Sequence, residues 1–278
     1  YNGDRYIASA IDSVLGQTLA DFEFIIVDDG SSDATPEILG RYDDPRLRII
    51  RNAVNQGQAA ALNRGLEVAK GAYIARMDAD DEALPERLER QVAFMEDHGN
   101  IGILGTAYQI IDSAGQPGNV VAWPPGYLAI RWMSLLAPPF LHASVMMRAE
   151  ILRTHGLRYD ESYRTAQDFE LWGRILAVSR GANLGDVLVR CRVHDESINR
   201  SQRIRQLNNH DKIALGALQT AFGANAPAPE DVVGLRRMFI GGDASEPAPT
   251  GQERLRLAGL YLGLLQRFVE RHAGHGSL

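Results

Sequence analysis

Three carboxylates within four residues, Asp78, Asp80 and Asp81, close the run Ala72-Tyr73-Ile74-Ala75-Arg76-Met77. The run reads as a buried strand, so the triplet places negative charge at the edge of a sheet. Such a cluster repels itself unless something positive binds there. A hard divalent cation carrying a phosphate-bearing ligand meets that demand. Acidic triplets also occur in turns, and Asp81 has a second reading as the cap of a helix opened by Glu82-Ala83-Leu84-Pro85-Glu86.

A second acidic pair, Asp28-Asp29, follows the apolar run Phe24-Ile25-Ile26-Val27. Two acidic strand ends are a more specific signal than either alone. Asp28 also fits a plain Asx turn around Gly30. Arg76, just before the triplet, fits either a nucleotide contact or an ion pair with Asp78 or Asp80. Gly57 allows a close approach of main chain to ligand, or is a simple turn glycine. Asn63 lies within a helix and has a bland reading as a solvent-facing residue. Asp168 heads a helix, where it is a candidate general base or a cap. His194 and Arg192 end the last strand, placed for a cation or a phosphate, or incidental there. His142 stands ahead of the apolar run Ala143 to Met147 and is a candidate for lining a ligand. Trp123, Trp132 and Trp172 are candidates for stacking on a ligand; Trp123 is favoured, and Trp172 falls on the apolar side of its helix.

The elements that must position these residues alternate. Helical spacing covers Arg5 to Leu15, with Ile7, Ala10, Ile11, Val14 and Leu15 on one face. Strands are expected over 22–27, 47–50, 72–77, 101–111, 142–147 and 183–193. Helices are expected over 33–39, 58–68, 84–96, 127–136 and 168–178. This βαβα rhythm predicts an α/β fold, a mostly parallel sheet with helices on both faces. Ligands bind such sheets beyond the carboxyl ends of the strands, where both acidic motifs lie. After about residue 200 only helices are expected, with Leu257, Leu260, Tyr261, Leu264, Leu265 and Phe268 at helical spacing. The expected division is therefore 1–199 as the catalytic unit and 200–278 as a C-terminal helical extension. Tyr1-Asn2-Gly3 reads as the loop after a strand, so a first strand is expected ahead of Tyr1.

Composition excludes several classes. The chain has 278 residues, with 45% hydrophobic and 23% charged residues, which suits one large globular domain or one domain with an appendage. The formal charge of -6 argues against a broad nucleic-acid surface. One cysteine, Cys191, leaves no disulfide within the chain. No apolar run reaches bilayer-spanning length. No G-x-G-x-x-G follows a strand, and no histidine pair has zinc spacing.

Five blocks together resemble family 2 glycosyltransferases of the GT-A fold. They are Tyr1-Asn2-Gly3; Ile26-Val27-Asp28-Asp29-Gly30-Ser31-Ser32-Asp33; Asn55-Gln56-Gly57 with Asn63-Arg64-Gly65; Asp78-Ala79-Asp80-Asp81; and Gln167-Asp168-Phe169-Glu170-Leu171-Trp172. The resemblance covers about residues 1–195. It implies an inverting transfer of a sugar from a nucleotide-diphosphate donor, UDP or dTDP favoured, to an acceptor hydroxyl, with Mg²⁺ or Mn²⁺ as cofactor.

Carried onto this chain, it implies donor contacts from Tyr1, Asn2, Asp28, Asp29, Gly57, Arg76, Asp78 and Ala79. Asp29 would accept from the base, and Asp78 would meet the ribose. Asp80 and His194 would hold the metal, and Asp168 would be the general base. Family members often carry Glu-Asp where this chain has Gln167-Asp168, which leaves open what orients the acceptor. The implied setting is cell-envelope polysaccharide or glycolipid synthesis, in the cytoplasm or at the inner face of the membrane. The expected partners are the donor and a saccharide or lipid-linked acceptor. Arginines 254, 256, 267 and 271 flank the last helix's apolar stripe, which fits peripheral membrane contact, packing on the catalytic unit or a homodimer. A nucleotidyltransferase and a non-catalytic sugar-nucleotide binding module are the alternative readings.

Overall fold

The computed structural model describes residues 1–194, 202–239, 241 and 248–273. The expected division between 199 and 200 lies outside the described residues.

The first layer is a parallel pair. Strand β1 (Phe24–Asp28) runs beside β2 (Leu47–Arg51), from Phe24 opposite Leu47 to Asp28 opposite Arg51. Helix α1 (Ile7–Leu15) and helix α2 (Thr35–Leu39) cover one side, packing Ile7, Ile11 and Leu39 onto Phe24 and Ile26. On the other side Gly65 of helix α3 (Gln58–Val68) approaches the Val27 side chain, so β1 is covered on both faces, as its unbroken apolar run requires.

The larger sheet has six strands: β3 (Tyr73–Ala75), β4 (Glu82–Ala83), β5 (Ile101–Ile111), β6 (Pro117–Val121), β7 (Met146–Arg148) and β8 (Arg180–Arg192). Their order is β3-β7-β5-β8-β4, with β6 paired to the far end of β5. Successive residues of the central strands face opposite layers. Ile103 and Met147 join a cluster with helix α5 (Tyr127–Met133), α6 (Ala149–Thr154) and α7 (Gln167–Val178). Leu104 and Met146 join a second cluster with α4 (Arg87–Asp97) through Met95. The α/β class with helices on both faces is as expected.

The strand directions correct the mostly parallel expectation. Among the described residues only β1–β2 and β5–β8 are parallel; β3–β7, β5–β7, β4–β8 and β5–β6 are antiparallel. The cause is local for β5–β6. Asp112 Oδ1 accepts from the N–H groups of Ala114 and Gln116, and Gly115 takes φ +81°, closing a hairpin too short for a parallel crossover. The expected strand 142–147 splits into a 3₁₀ turn over His142–Ser144 followed by β7.

Helices α8 (Arg203–Phe222), α9 (Pro229–Phe239) and α10 (Gly251–His272) follow. Thr250 and Glu253 form a reciprocal capping box at the start of α10. Leu218, Val232, Leu235, Leu257, Leu264 and Phe268 share one cluster with Trp132 and Leu135 near α5 and with Ala166 and Phe169 at the start of α7. Trp132 Nε1 donates to Tyr261 Oη at 2.8 Å. These helices pack against the sheet-bearing part of the molecule.

Candidate functional site

The carboxyl end of β1 is organised by its two aspartates. Asp28, 3% exposed, accepts the Ser31 N–H at 3.0 Å and lies 3.3 Å from Arg51 Nε. This is the Asx-turn reading, and it places Asp28 in the wall of the site. Gly30 takes φ +75° inside that turn, and a Cβ there would sit 2.8 Å from the Val54 carbonyl carbon. Asp29 accepts from Asn52 Nδ2 at 2.7 Å, from the Gln56 N–H at 3.0 and 3.1 Å, and from the Gly57 N–H at 2.8 Å. It is 3% exposed and holds the whole 52–57 loop. A base contact at Asp29 must therefore share or displace one of these donors. Gly57 takes φ +99°, and its N–H is one of the groups held.

The N-terminal loop docks on the same turn. Asn2, at φ +50°, donates its N–H to Ser31 Oγ at 2.8 Å and accepts the Ser32 N–H at 2.9 Å. Gly3 N–H donates to Thr35 Oγ1 at 2.8 Å. Tyr1 is 59% exposed at this rim.

The acidic triplet follows β3. Candidate ligand atoms of Asp78, Asp80 and Asp81 lie within 4.8 Å of one another. Asp78 is gripped by a bidentate pair with Arg76, whose side chain is 5% exposed. The ion-pair reading of Arg76 is thus the one seen. Burial alone would lower the Arg76 pKa, but the neighbouring charges, Asp78 first, carry it above its ordinary value. Asp80 Oδ2 lies 3.0 Å from His194 Nε2. Asp81, 2% exposed, accepts the Arg192 N–H at 2.8 Å instead of capping α4, whose N-cap is Glu86. Burial first, then Asp78 and Asp80, push its carboxyl well above the usual range. The cluster offers carboxylate oxygens close together, a donor set that fits a hard divalent cation. Ala79 separates the two candidate ligands, and its Cβ lies 3.7 Å from the position a Cβ would take on Gly3.

Arg192 does not face a phosphate. Its side chain donates to Asp80 O at 2.9 Å, Asp112 O at 3.1 Å and Glu82 Oε1 at 2.7 Å, and it stacks over Tyr6 at 4.7 Å. It ties the triplet's backbone to β8. The Tyr6 ring also lies 5.1 Å from the ring of His194.

On the opposite side stands Asp168, in the first turn of α7. The N-cap is Ala166, at φ +60°, with no side-chain cap bond, so the capping reading of Asp168 is not the one seen. Burial raises the Asp168 pKa above its ordinary value, the Asp78 charge adds to that, and backbone N–H groups and Arg76 oppose it. A carboxyl shifted upward near the acidic cluster suits a general base. Two amides bridge the sides: Gln167 Nε2 donates to Gln58 Oε1 at 2.6 Å, and Gln58 Nε2 donates to Asp78 Oδ1 at 3.3 Å.

Asn63 and Trp132 depart from expectation. Asn63 is 4% exposed and clasps Tyr159 through both its amide and carbonyl, reaching Glu161 as well, so it faces the interior. His142 bonds Tyr159 Oη at 2.9 Å and packs edge-on to Trp172; burial and the Arg76 charge hold its pKa well below normal. Trp172 is fully buried, and Trp132 is 8% exposed against Tyr261 and Phe268, so neither faces a sugar. Trp123 is half-buried, with an Nε1 that has no partner.

Sequence reasoning missed Gln58, Arg87 and Asn209. Arg87, 2% exposed, donates to the Arg76 carbonyl at 2.7 Å and so pins the strand end beneath the triplet. Burial and the Arg76 charge lower its pKa to about 10. Asn209 Nδ2 donates to Thr165 O and Oγ1, each at 3.0 Å, bracing the turn ahead of Asp168. Arg87 lies on an amphipathic helix, where an arginine gives no local sign of burial. Only tertiary contact reveals the others.

A family model described as glycosyl transferase family 2 matches residues 1–156. EpsE of Bacillus subtilis strain 168, named as a glycosyltransferase, is 36% identical over 217 residues, covering 75% of this chain and 76% of that one. The succinoglycan biosynthesis protein ExoO of Rhizobium meliloti is 31% identical over 190 residues, covering 64% of this chain and 53% of its own. Two further relatives, from Haemophilus influenzae and Methanocaldococcus jannaschii, are spanned over 63% and 61% of their lengths. Among solved structures, S. aureus TarS 1–349 with UDP-GlcNAc superposes with a TM-score of 0.65 at 19% identity, covering 97% of this chain and 78% of that one. The mannosyltransferase PcManGT of Pyrobaculum calidifontis, with GDP-Man and Mn²⁺, gives 0.62 at 20% identity, covering 100% and 74%. At these identities the likeness is one of fold, and the fold is GT-A.

Proposed function

The chain belongs to glycosyl transferase family 2, and we propose that it is an inverting enzyme that moves a sugar from a nucleotide-diphosphate donor to an acceptor hydroxyl. The observation that carries this reading is the pairing of an acidic triplet with a separate, upward-shifted carboxyl at Asp168, bridged by Gln58 and Gln167.

In this reading Asp168 takes the proton of the acceptor hydroxyl while that oxygen attacks the anomeric carbon. The bond to the diphosphate breaks on the opposite face, which inverts the centre. Asp78, held by Arg76, meets the donor's ribose. Asp29 and the 52–57 loop, with Tyr1, Asn2, Asp28 and Gly57, frame the nucleotide. Ala79 keeps the backbone close to the donor. Asp80 and His194 would hold Mg²⁺ or Mn²⁺, which would supply Lewis-acid stabilisation of the departing diphosphate. The name of ExoO supports a role in polysaccharide or glycolipid synthesis at the cell envelope. The Asp29 carboxylate supports UDP or dTDP as donor.

Calorimetric titration with UDP, dTDP, GDP and ADP, each with and without Mn²⁺, tests this reading. Metal-dependent binding of one pyrimidine diphosphate is expected. A folded chain that binds none of the four would mark a non-catalytic module.

No helix of the described residues is long and apolar enough to cross a membrane. Helix α10, however, turns Leu255, Leu262 and Val269 outward at 78%, 61% and 55% exposure. That stripe, with its flanking arginines, supports peripheral contact with a lipid surface at the inner face of the membrane. Leu255→Asp with Leu262→Asp should abolish liposome flotation. A loss of dimer in sedimentation, with flotation unchanged, would assign the stripe to a homodimer instead.

A further inference from the structure

Gln167 is 4% exposed, and its Oε1 is buried without a hydrogen-bond partner. A buried acceptor left open is costly unless a ligand completes it. The direction in which this oxygen points is set elsewhere. A carboxylate offers only acceptors, so Gln58 must turn its NH₂ toward Asp78. That leaves Gln58 Oε1 facing Gln167, which must answer with its own NH₂, at 2.6 Å. Gln167 is then left with its oxygen free, one residue from Asp168.

The main chain at Gln58 is equally constrained. It is the first residue of α3, and the N–H groups of Gln56 and Gly57 just before it are held by Asp29. The amide chain thus has fixed anchors at both ends, with helix α7 carrying Gln167.

We infer that Gln58 is a positioning residue: it passes the acceptor-only character of Asp78 through two amides, so that Gln167 Oε1 receives a hydrogen bond from a hydroxyl of the acceptor substrate beside Asp168. The inference rests on the transferase reading for the identity of that hydroxyl. A carboxylate at 167 would face Gln58 Oε1, and flipping Gln58 to suit it would set an amide oxygen against Asp78.

The test uses the full chain and side-chain amide ¹⁵N–¹H spectra. In the wild type the Gln167 NH₂ should exchange slowly with solvent; Gln58→Met should speed that exchange severalfold. The reciprocal variant Gln167→Met should leave the Gln58 NH₂ on Asp78 and its exchange slow, which guards against misfolding as the cause of the first effect. With n-octyl glycosides as acceptor probes, Gln58→Met should raise the acceptor KM about two- to tenfold, the loss of one neutral hydrogen bond, a larger factor than any change in the donor KM through Asp78. Gln167→Glu should be poorer than wild type despite its stronger acceptor. An unaltered Gln167 amide in Gln58→Met overturns the relay. A wild-type chain inactive with every sugar nucleotide overturns the transferase reading and the hydroxyl assignment with it, while the amide spectra still report on the relay.

Discussion

Asp80 and His194, separated by 114 residues in the chain, meet at 3.0 Å. The contact joins the end of the β3 segment to the end of β8, so one corner of the candidate site draws on two remote stretches of sequence. Asp80→Ala should abolish Mn²⁺-dependent nucleotide binding, whereas His194→Ala should weaken it and leave residual dependence. Calorimetry with and without Mn²⁺ measures both. Full Mn²⁺ stimulation in Asp80→Ala would move the metal to other ligands.

Asp168→Asn should keep nucleotide affinity and cut turnover by roughly 10²–10⁴-fold, as loss of a general base does. The wild-type rate should rise with pH through the carboxyl's upward-shifted pKa, because only the ionised form accepts a proton; Arg76 and Asp78 are the charged groups that set the shift, alongside burial. Near-normal turnover in the variant would place the base on another residue.

Gly30→Ala should be costly for a backbone reason. At φ +75° an L side chain is strained, by roughly 1–2 kcal/mol, and its Cβ would press on the main chain of Val54. The variant should melt at lower temperature and bind nucleotide less well, since the 52–57 loop would shift. An unchanged melting temperature would show that the turn relaxes freely.

His210 packs edge-on to Phe169, and burial, with the Arg236 charge, lowers its pKa to about 4. The unfolded chain takes up a proton near 6.5 and the folded chain does not until about 4. Stability from this group is therefore present above pH 6.5 and lost as pH falls toward 4, on the order of 1 kcal/mol per unit. His142, also shifted down, acts in the same direction. Thermal melts from pH 7 to 4 should show the loss, and His210→Gln should flatten it.

Much of the sheet-and-helix plan was legible because apolar periodicity reports burial directly. Helix α3 and strand β5 fall where the spacing puts them, over 58–68 and 101–111. Asp78, Asp80 and Asp168 stood out because acidic residues at strand and helix ends are conspicuous against apolar runs. Strand direction was not legible for β7, since a short apolar run is the same read in either direction. Asp28 was visible, but only the fold separates a turn-closing carboxylate from a ligand-facing one. Gln58 and Asn209 carried no local signal at all: a glutamine at a helix start and an asparagine inside a helix become informative only when their partners, 20 and 44 residues away, are placed.

Trp132 and Phe169 belong to the sheet-bearing part of the chain, yet their apolar neighbours include Leu218, Leu257 and Phe268 from the last helices. A core shared in this way cannot melt in halves without exposing large aromatic surfaces on both. Heat should therefore unfold the chain in one cooperative transition, with matching calorimetric and van't Hoff enthalpies, instead of releasing the helical extension first. The helices after residue 200 would then set the thermal ceiling of the catalytic machinery.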